Sequence, residues 1–394
     1  MQRTDLETVG RVHAPVCLMT RKTPMRIGVF IPVYREPKLL NDLLSKLTKD
    51  TYPCKEIVVA VDGELTPPIQ QALESFKETV RVFYPRRHWG KAKLLNEVVA
   101  CLEADLLVFL DNDILLPDDP HYLEKIKDRA EHYDIIEMAK EVIPDSLFSS
   151  MIGYEYLGFA FVHFLFYKLS RRLPSVIGSA FAVKRTLFEA LGGFRLVVHE
   201  DVDFGARAFR LDARYSFERS LKVKTAMPGT LKGWVQQRKR WTLINILWFQ
   251  ENLFHIVKNM IKHPKLLSAF LLSVVPLLFT YAVFLFFQHS NLYYHISLPL
   301  ILANYSFFTS GAFLWFAHYS MIAQGVVGAL LSFALSAGLQ FAFSRYFRFR
   351  FHILEYSLYY FFYMPVIFVF HIGMFFYMMA TGKLVPLQWK VSES

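Results

Sequence analysis

LLVFLDNDILLP, residues 106–117, joins an apolar run directly to three polar residues of the kind that hold ligands. Leu106 to Leu110 reads as a buried parallel strand, and in open α/β sheets ligands sit beyond the carboxyl ends of such strands. Asp111 and Asp113 stand at i and i+2 of an extended backbone, so both carboxylates point the same way. Side by side they repel unless a cation lies between them. A hard divalent ion, Mg²⁺ or Mn²⁺, shared with phosphate oxygens is the natural partner for such oxygens. A solvated Asp-Asn turn that merely ends a strand explains DND alone equally well, so the neighbouring stretches have to decide.

Upstream, IGVFIPVY (27–34) reads as a buried strand that runs through Pro32 and Tyr34 into a loop carrying Arg35 and Glu36. A helix is expected from about Pro37 to Leu47, then a strand over Glu56 to Val61 that ends in Asp62-Gly63. A carboxylate at that strand end can accept hydrogen bonds from a base or ribose, although Asp-Gly is also a common turn. A helix near Pro68 to Phe76 and a strand near Val80 to Tyr84 follow. RRHWGKAKLLNEVVACL then sets basic residues and a glycine before a helix starting near Gly90. Its N-terminus, with Lys91 or Lys93 beside it, attracts phosphate by dipole and by charge. Asn96 shares a face with Lys93. Strand and helix alternate throughout, which predicts an α/β domain with a mostly parallel sheet and helices on both faces.

Downstream, a helix to about His132 and a strand over Tyr133 to Ala139 are expected. Met151 to Leu169 is apolar and aromatic but carries Glu155, His163 and Lys168, so it is too short and too interrupted to span a membrane. It reads as a helix on the membrane surface or at the acceptor side, or as a buried core helix. Ser175 to Lys184 reads as a strand in which Gly178 and Ser179 permit close backbone approach or mark a bend. In HEDVDFGARAFR, Glu200 and Asp201 open a helix, where carboxylates are electrostatically favoured in any case. Asp203 reads as a cap or surface residue and His199 as structural. LKGWVQQRKRW (231–241) puts Gln237, Arg240 and Trp241 on a helix near the membrane, with Arg238 and Lys239 as interface anchors. Thr242 to Lys262 continues as an amphipathic helix with Asn245, Asn252, His255, Asn259 and Lys262 along one stripe.

The chain has 394 residues, and from Leu266 to Thr381 its charged residues are Arg345, Arg348, Arg350 and Glu355. Such a stretch cannot face water and predicts a transmembrane bundle. The expected spans are Leu266 to Phe287, Ile296 to His318, Ala323 to Phe343 and Leu354 to Ala380. Four crossings put the three arginines on the outer face, against the positive-inside tendency, so a three-span or re-entrant arrangement stays open. Cys17, Cys54 and Cys101 include no CxxC pair and argue against a disulfide framework or a zinc site. Met1 to Arg26 shows no secretory signal, which leaves the first part on the cytosolic side. The net charge of +10 fits a positive-inside bias and anionic lipid. No nucleic-acid-binding motif accompanies the basic residues, so nucleic acid is not an expected partner.

These pieces in this order, PVYRE (32–36), Asp62-Gly63, GKAKLLN (90–96), DND (111–113), Glu200-Asp201 and QRKRW (237–241), resemble a membrane-bound family 2 glycosyltransferase with the GT-A fold. The branch is that of cellulose, chitin and hyaluronan synthases and of ceramide glucosyltransferase. The resemblance covers residues 1–241 as a catalytic domain, followed by an interface helix (242–265), a membrane bundle (266–381) and a cytosolic tail (382–394). It implies that Pro32, Tyr34, Glu36 and Asp62 hold the nucleotide of a UDP- or GDP-sugar, that Lys91 approaches its diphosphate, and that Asp111 supports it. Asp113 would bind the metal, Asp201 with Glu200 would serve catalysis as the base, and Gln237, Arg240 and Trp241 would close over the diphosphate. The expected reaction is inverting, metal-dependent transfer of a sugar to a membrane-associated lipid or lipid-linked glycan, by a multi-pass protein at the cytosolic face. A processive polysaccharide synthase is the second expectation, and a non-catalytic nucleotide-sugar-binding transporter or receptor is the alternative of another class. The chain departs from the branch in having His199 where the polysaccharide synthases commonly show Thr, and in lacking helices before the catalytic domain.

Overall fold

The computed structural model describes residues 7–9, 24–275, 278, 279, 282 and 307–381, the side chains of the last stretch from 324 onward. The first half alternates as expected: β1 (Glu7–Val9), β2 (Ile27–Val33), α1 (Leu40–Lys49), β3 (Lys55–Val61), α2 (Pro67–Glu74), β4 (Arg81–Tyr84), α3 (Lys91–Ala100), β5 (Leu106–Leu110) and β6 (Ile114–Leu115). Then come α4 (Tyr122–Ala130), β7 (Ile135–Val142), α5 (Leu147–Ser170), β8 (Ala180–Lys184), α6 (Arg185–Ala190), α7 (Glu200–Arg210) and β9 (Tyr215–Thr225). The strands form one mixed sheet in the order β1-β4-β3-β2-β5-β8-β7-β9-β6. β4, β3, β2 and β5 run parallel, and antiparallel β8 joins them to the parallel pair β7 and β9.

Each element follows from its residues. β2, β3 and β5 are buried on both faces, as continuous apolar strands must be in a sheet covered by helices. In α1 the buried residues Leu40, Leu43, Leu44 and Leu47 make one helical stripe, and Asp42 and Lys46 sit at the ends the helix dipole favours. Side chains of α1, α2 and α4 fill the core on one face of the sheet, and those of α3, α5, α6 and α7 fill it on the other. From β2 the chain steps one way to β3 and β4, then returns to the other side of β2 as β5. That reversal opens a crevice beyond the carboxyl ends of β2 and β5, the place where ligands bind in such sheets.

α5 is a core helix. Ile152, Tyr154, Tyr156, Leu157, Ala160, His163 and Phe166 are buried, because its polar residues find partners inside the protein. α8 (Leu231–Lys262) runs unbroken through residue 241, so the QRKRW stretch and the amphipathic segment are one helix. Its apolar side, with Phe249, Leu253, Phe254, Val257 and Ile261, is exposed. The polar stripe does not simply face water: Asn252 is buried and accepts a hydrogen bond from Arg210 of α7 at 2.6 Å.

The C-terminal part contains α9 (Pro264–Val275), α10 (Phe307–Phe347), α11 (Ile353–Leu358), a π-helical turn (Tyr359–Tyr363) and α12 (Met364–Thr381). Among the described residues two helical stretches are long and apolar enough to cross a membrane, Gln324–Phe347 and Ile353–Thr381. They match the third and fourth expected spans. α10 continues through 319–322, where the sequence reading separated two spans. The end of the first expected span, the start of the second and the tail 382–394 lie outside the described residues.

The turn that carries the arginines is tied to the sheet domain. Arg219 of β9 donates to the carbonyl of Tyr346 at 2.9 Å, Lys222 donates to that of Arg348, and the Arg350 N–H donates to Glu141 of β7 at 2.9 Å. The turn between α10 and α11 therefore packs against β7 and β9. The cysteine reading also changes. Cys54 is disulfide-bonded and Cys101 is free.

Candidate active site

The crevice is built from strand ends. Asp62, at the end of β3, is buried and its carboxylate accepts the backbone N–H of Trp89 at 2.6 Å and of Gly90 at 3.0 Å. His88 Nδ1 lies 3.0 Å from the same carboxylate. Burial raises the Asp62 pKa, and these donors pull the other way. Asp62 thus fixes the loop that starts α3, with Gly90 at φ 82° where a side chain would be strained. The Tyr34 ring packs on His88 with centroids 4.8 Å apart, and the Arg35 guanidinium lies 4.8 Å from the Tyr34 ring. Aromatic face and carboxylate together offer stacking and hydrogen bonding to one flat heterocycle. Glu36 is exposed, and it is its carbonyl that is used, accepting the Asn112 side-chain amide at 2.7 Å.

Deeper in, Lys91 reaches back from the first turn of α3 to Asp111 at 2.6 Å and lies 3.9 Å from Glu200. Burial alone would lower its pKa, but the carboxylates of Asp111, Glu200 and Asp201 outweigh it and keep the ammonium charged. Glu200 responds in the opposite sense. Burial first, then the adjacent Asp201 charge, pushes its pKa up to about 7 in spite of Lys91. Asp201 is held from two sides, its Oδ2 accepting the Gly178 N–H at 2.7 Å and its Oδ1 accepting the Val202 N–H at 2.8 Å. A Cβ on Gly178 would come within 2.5 Å of Asp201 Oδ2, so this close approach requires glycine. Pro32, Lys91, Asp111, Gly178, Glu200 and Asp201 line a single cavity over an apolar floor that includes Phe109 and Phe194.

Asp113 stands outside that cavity lining, partly exposed, with Lys38 Nζ 2.9 Å from its Oδ2. Among the described residues no cluster of three or more His, Cys, Asp or Glu side chains could hold an ion by protein ligands alone. One accessible carboxylate oxygen at the edge of the crevice does fit an ion that takes its remaining ligands from water and a bound anion, which is the habit of Mg²⁺ and Mn²⁺.

Gln237, Arg240 and Trp241 lie on α8 and do not line the Asp111–Asp201 cavity. Trp241 packs toward α5 through Tyr156, with ring centroids 6.2 Å apart. Gln237 Oε1 is buried without a hydrogen-bond donor. Arg238 is not an interface anchor. It is buried, paired with Glu155 at 2.8 Å, and packed 4.5 Å from the Trp241 ring, because α5 and α12 close over this part of α8. Asp203 likewise is neither cap nor surface residue but is buried against Arg207 at 2.7 Å. Asn96 exchanges hydrogen bonds with the backbone of Phe194 and so holds the 192–194 turn; Lys93 lies over Trp89.

Sequence reasoning passed over His88, Lys38 and Tyr156. The position of His88 between Asp62 and Lys91 in RRHWGK was a signal available in the sequence. No comparable signal marked Lys38 or Tyr156. A buried group between β7 and α5, Glu137, Lys140 and His163, was also missed. Lys140 Nζ donates to Glu137 at 2.9 Å and His163 lies 3.2 Å from it. Burial would raise the Glu137 pKa, yet its contacts with His163 and Lys140 hold it down at about 2.

Residues 28–192 match the family model described as Glycosyl transferase family 2. The match runs from β2 to the turn after α6 and stops short of Glu200, Asp201 and α8. A curated relative, the probable glycosyltransferase YdaM of Bacillus subtilis, is 23% identical over 284 residues, covering 66% of this chain. The chain spans 63% of the length of that relative. Among solved structures, the mannosyltransferase PcManGT of Pyrobaculum calidifontis, in complex with GDP-Man and Mn²⁺, is 19% identical with a TM-score of 0.48, covering 78% of this chain and 87% of its own. TarS 1-349 of S. aureus in complex with UDP-GlcNAc is 18% identical with a TM-score of 0.38, covering 56% of this chain and 66% of its own.

Proposed function

We propose that the protein is a glycosyltransferase that moves a sugar, with inversion, from a UDP- or GDP-sugar to a membrane-associated lipid or lipid-linked glycan. The observation that carries this is the single cavity at the strand switch, in which Lys91 and Asp111 meet Glu200 and Asp201. One wall suits a leaving diphosphate and the other an incoming hydroxyl. The Glycosyl transferase family 2 match over the donor half supports the same reading.

In this mechanism the nucleotide base lies against Tyr34 near Asp62, and Lys91 faces the diphosphate. Asp113 would hold Mg²⁺ or Mn²⁺ together with diphosphate oxygens, and such an ion neutralises charge on the departing group. Asp201, kept in place by the N–H groups of Gly178 and Val202, takes the proton of the acceptor hydroxyl. The acceptor oxygen forms its bond to the anomeric carbon as the carbon–phosphate oxygen bond breaks on the opposite side, and the nucleoside diphosphate leaves with the electron pair. Positioned proton transfer of this kind is worth roughly 10²- to 10⁴-fold. Lys91 stabilises the developing negative charge from a site that holds it charged beforehand. Gln237, Arg240 and Trp241 would close the acceptor opening from α8.

The exposed apolar side of α8 and the two apolar helical stretches support placement at a membrane. Incubation of the protein in native membrane lipid with a panel of radiolabelled UDP- and GDP-sugars, followed by product sizing, tests the proposal. One labelled product of fixed size in the lipid phase is expected. A ladder of lengths would instead make the protein a polysaccharide synthase, and donor binding without hydrolysis or transfer would reduce it to a nucleotide-sugar-binding membrane protein.

A further inference from the structure

The loop between β2 and α1 is held in a strained shape over the Asp-Asn-Asp turn. Arg35 and Lys38, neither of them glycine, both have positive φ, at 63° and 24°. Such strain persists only where surrounding structure enforces it. Here two hydrogen bonds enforce it, one from the Leu39 N–H to the Asn112 carbonyl at 3.0 Å and one from the Asn112 side chain to the Glu36 carbonyl at 2.7 Å. The result sets the Lys38 ammonium on Asp113 at 2.9 Å, while Lys91 sits on Asp111 at 2.6 Å. Both carboxylates after β5 are thus already paired, each with its own ammonium, before any ligand arrives.

We propose that Lys38 is a diphosphate-binding residue that occupies the cation position of Asp113 until a divalent ion takes its place. This rests on the reading above that Asp113 holds such an ion beside a nucleoside diphosphate. Two positive charges held by one carboxylate repel each other, so an ion that binds Asp113 weakens the Lys38 pair and favours release of the ammonium. The released ammonium stays on a loop fastened to Asn112, one residue from both carboxylates, and the diphosphate is the anion within its reach. Lys38 lies on one flank of the turn and Lys91 on the other, so the pair would bracket the diphosphate even when no metal is present. Half-exposed, Lys38 has the room for this exchange that the more enclosed Lys91 lacks.

The test uses the full chain in lipid nanodiscs and the variants Lys38→Met and Lys38→Arg. Free Mn²⁺ is followed by electron paramagnetic resonance without nucleotide, and UDP and GDP binding is measured calorimetrically in EDTA. Lys38→Met should bind Mn²⁺ about 2- to 5-fold more tightly, the scale of a lost competing surface ion pair. In EDTA it should bind the preferred nucleotide about 10-fold more weakly, the scale of one charge-assisted hydrogen bond. Lys38→Arg should stay close to the wild type in both. A cooperative thermal melt of Lys38→Met near that of the wild type guards both arms against misfolding. Absence of either effect in Lys38→Met, with wild-type nucleotide binding present, overturns the role of Lys38 alone. If the wild type binds neither UDP nor GDP with or without Mn²⁺, the donor reading falls and the role of Lys38 falls with it.

Discussion

The part of the molecule from β2 to α4 and the part from β7 to α8 keep their charges in different ways. Between β2 and α4, the buried Asp62 aside, ion pairs sit at strand ends partly open to solvent: Lys38 with Asp113, Lys91 with Asp111. From β7 to α8 the charges are buried and locked to each other: Glu137 with Lys140 and His163, Glu155 with Arg238, Asp203 with Arg207. Exchangeable pairs serve binding, whereas locked pairs fix the relative positions of α5, α7, α8 and the sheet. Asp201 stands where the two regimes meet, lining the cavity yet fastened by backbone.

The sharpest way to break this contrast is Asp201→Asn. Transfer should fall by roughly 10²- to 10⁴-fold while calorimetric donor binding stays near the wild-type value. Equal loss of both would make Asp201 a structural residue and erase the boundary. Next in size, Arg238→Met should lower unfolding stability by about 3–5 kcal/mol, because Glu155 is left buried and unpaired. Restoring part of that loss with Glu155→Gln in the same chain would sharpen the point, since no orphan charge then remains. A stable Arg238→Met that has lost only donor affinity would contradict it.

A smaller effect is expected from Glu200, and its sign follows from its raised pKa. Ordinary carboxyl groups titrate near 4.5 and Glu200 near 7, so the folded protein holds this proton more tightly than the unfolded chain. Its contribution is full below about 4.5 and is lost as pH rises to about 7, to an extent of up to about 3 kcal/mol for the coupled pair. Thermal melting followed across that window should decline in the wild type and flatten in Glu200→Gln. A parallel decline in both would assign it to other groups. The smallest effect is expected at the exchangeable edge: Asp113→Ala should weaken donor binding by about 10-fold in Mn²⁺ and by less in EDTA. Loss of the same size in both media would detach Asp113 from the metal.

The same contrast explains what could be read from the sequence. The alternation of strand and helix in the first half was legible because apolar runs alternate with amphipathic segments, and Lys91, Asp111, Glu200 and Asp201, which line one cavity, could be singled out because each stands at an element boundary. The locked pairs were not. Glu155 and Arg238 are 83 positions apart, and nothing in helical spacing says that two distant charges will meet. The reading of Arg238 as a lipid-interface anchor failed for that reason, as did that of Asp203. Lys38 sits four residues beyond a recognisable strand end, yet its meeting with Asp113 depends on a strained loop that residue types alone do not announce.

Leu266 and Ala269 of α9, Phe347 at the end of α10 and Phe349 just beyond it belong to the same buried cluster as Phe109, Phe181 and Phe204 of the sheet domain. Anyone trimming the chain after Trp241 to obtain a shorter protein would strip this lining away. The shortened product should clump during purification, and detergent added afterwards would not substitute for the missing wedge. Crystallographers and assay designers alike are better served by keeping α9 to α12 attached.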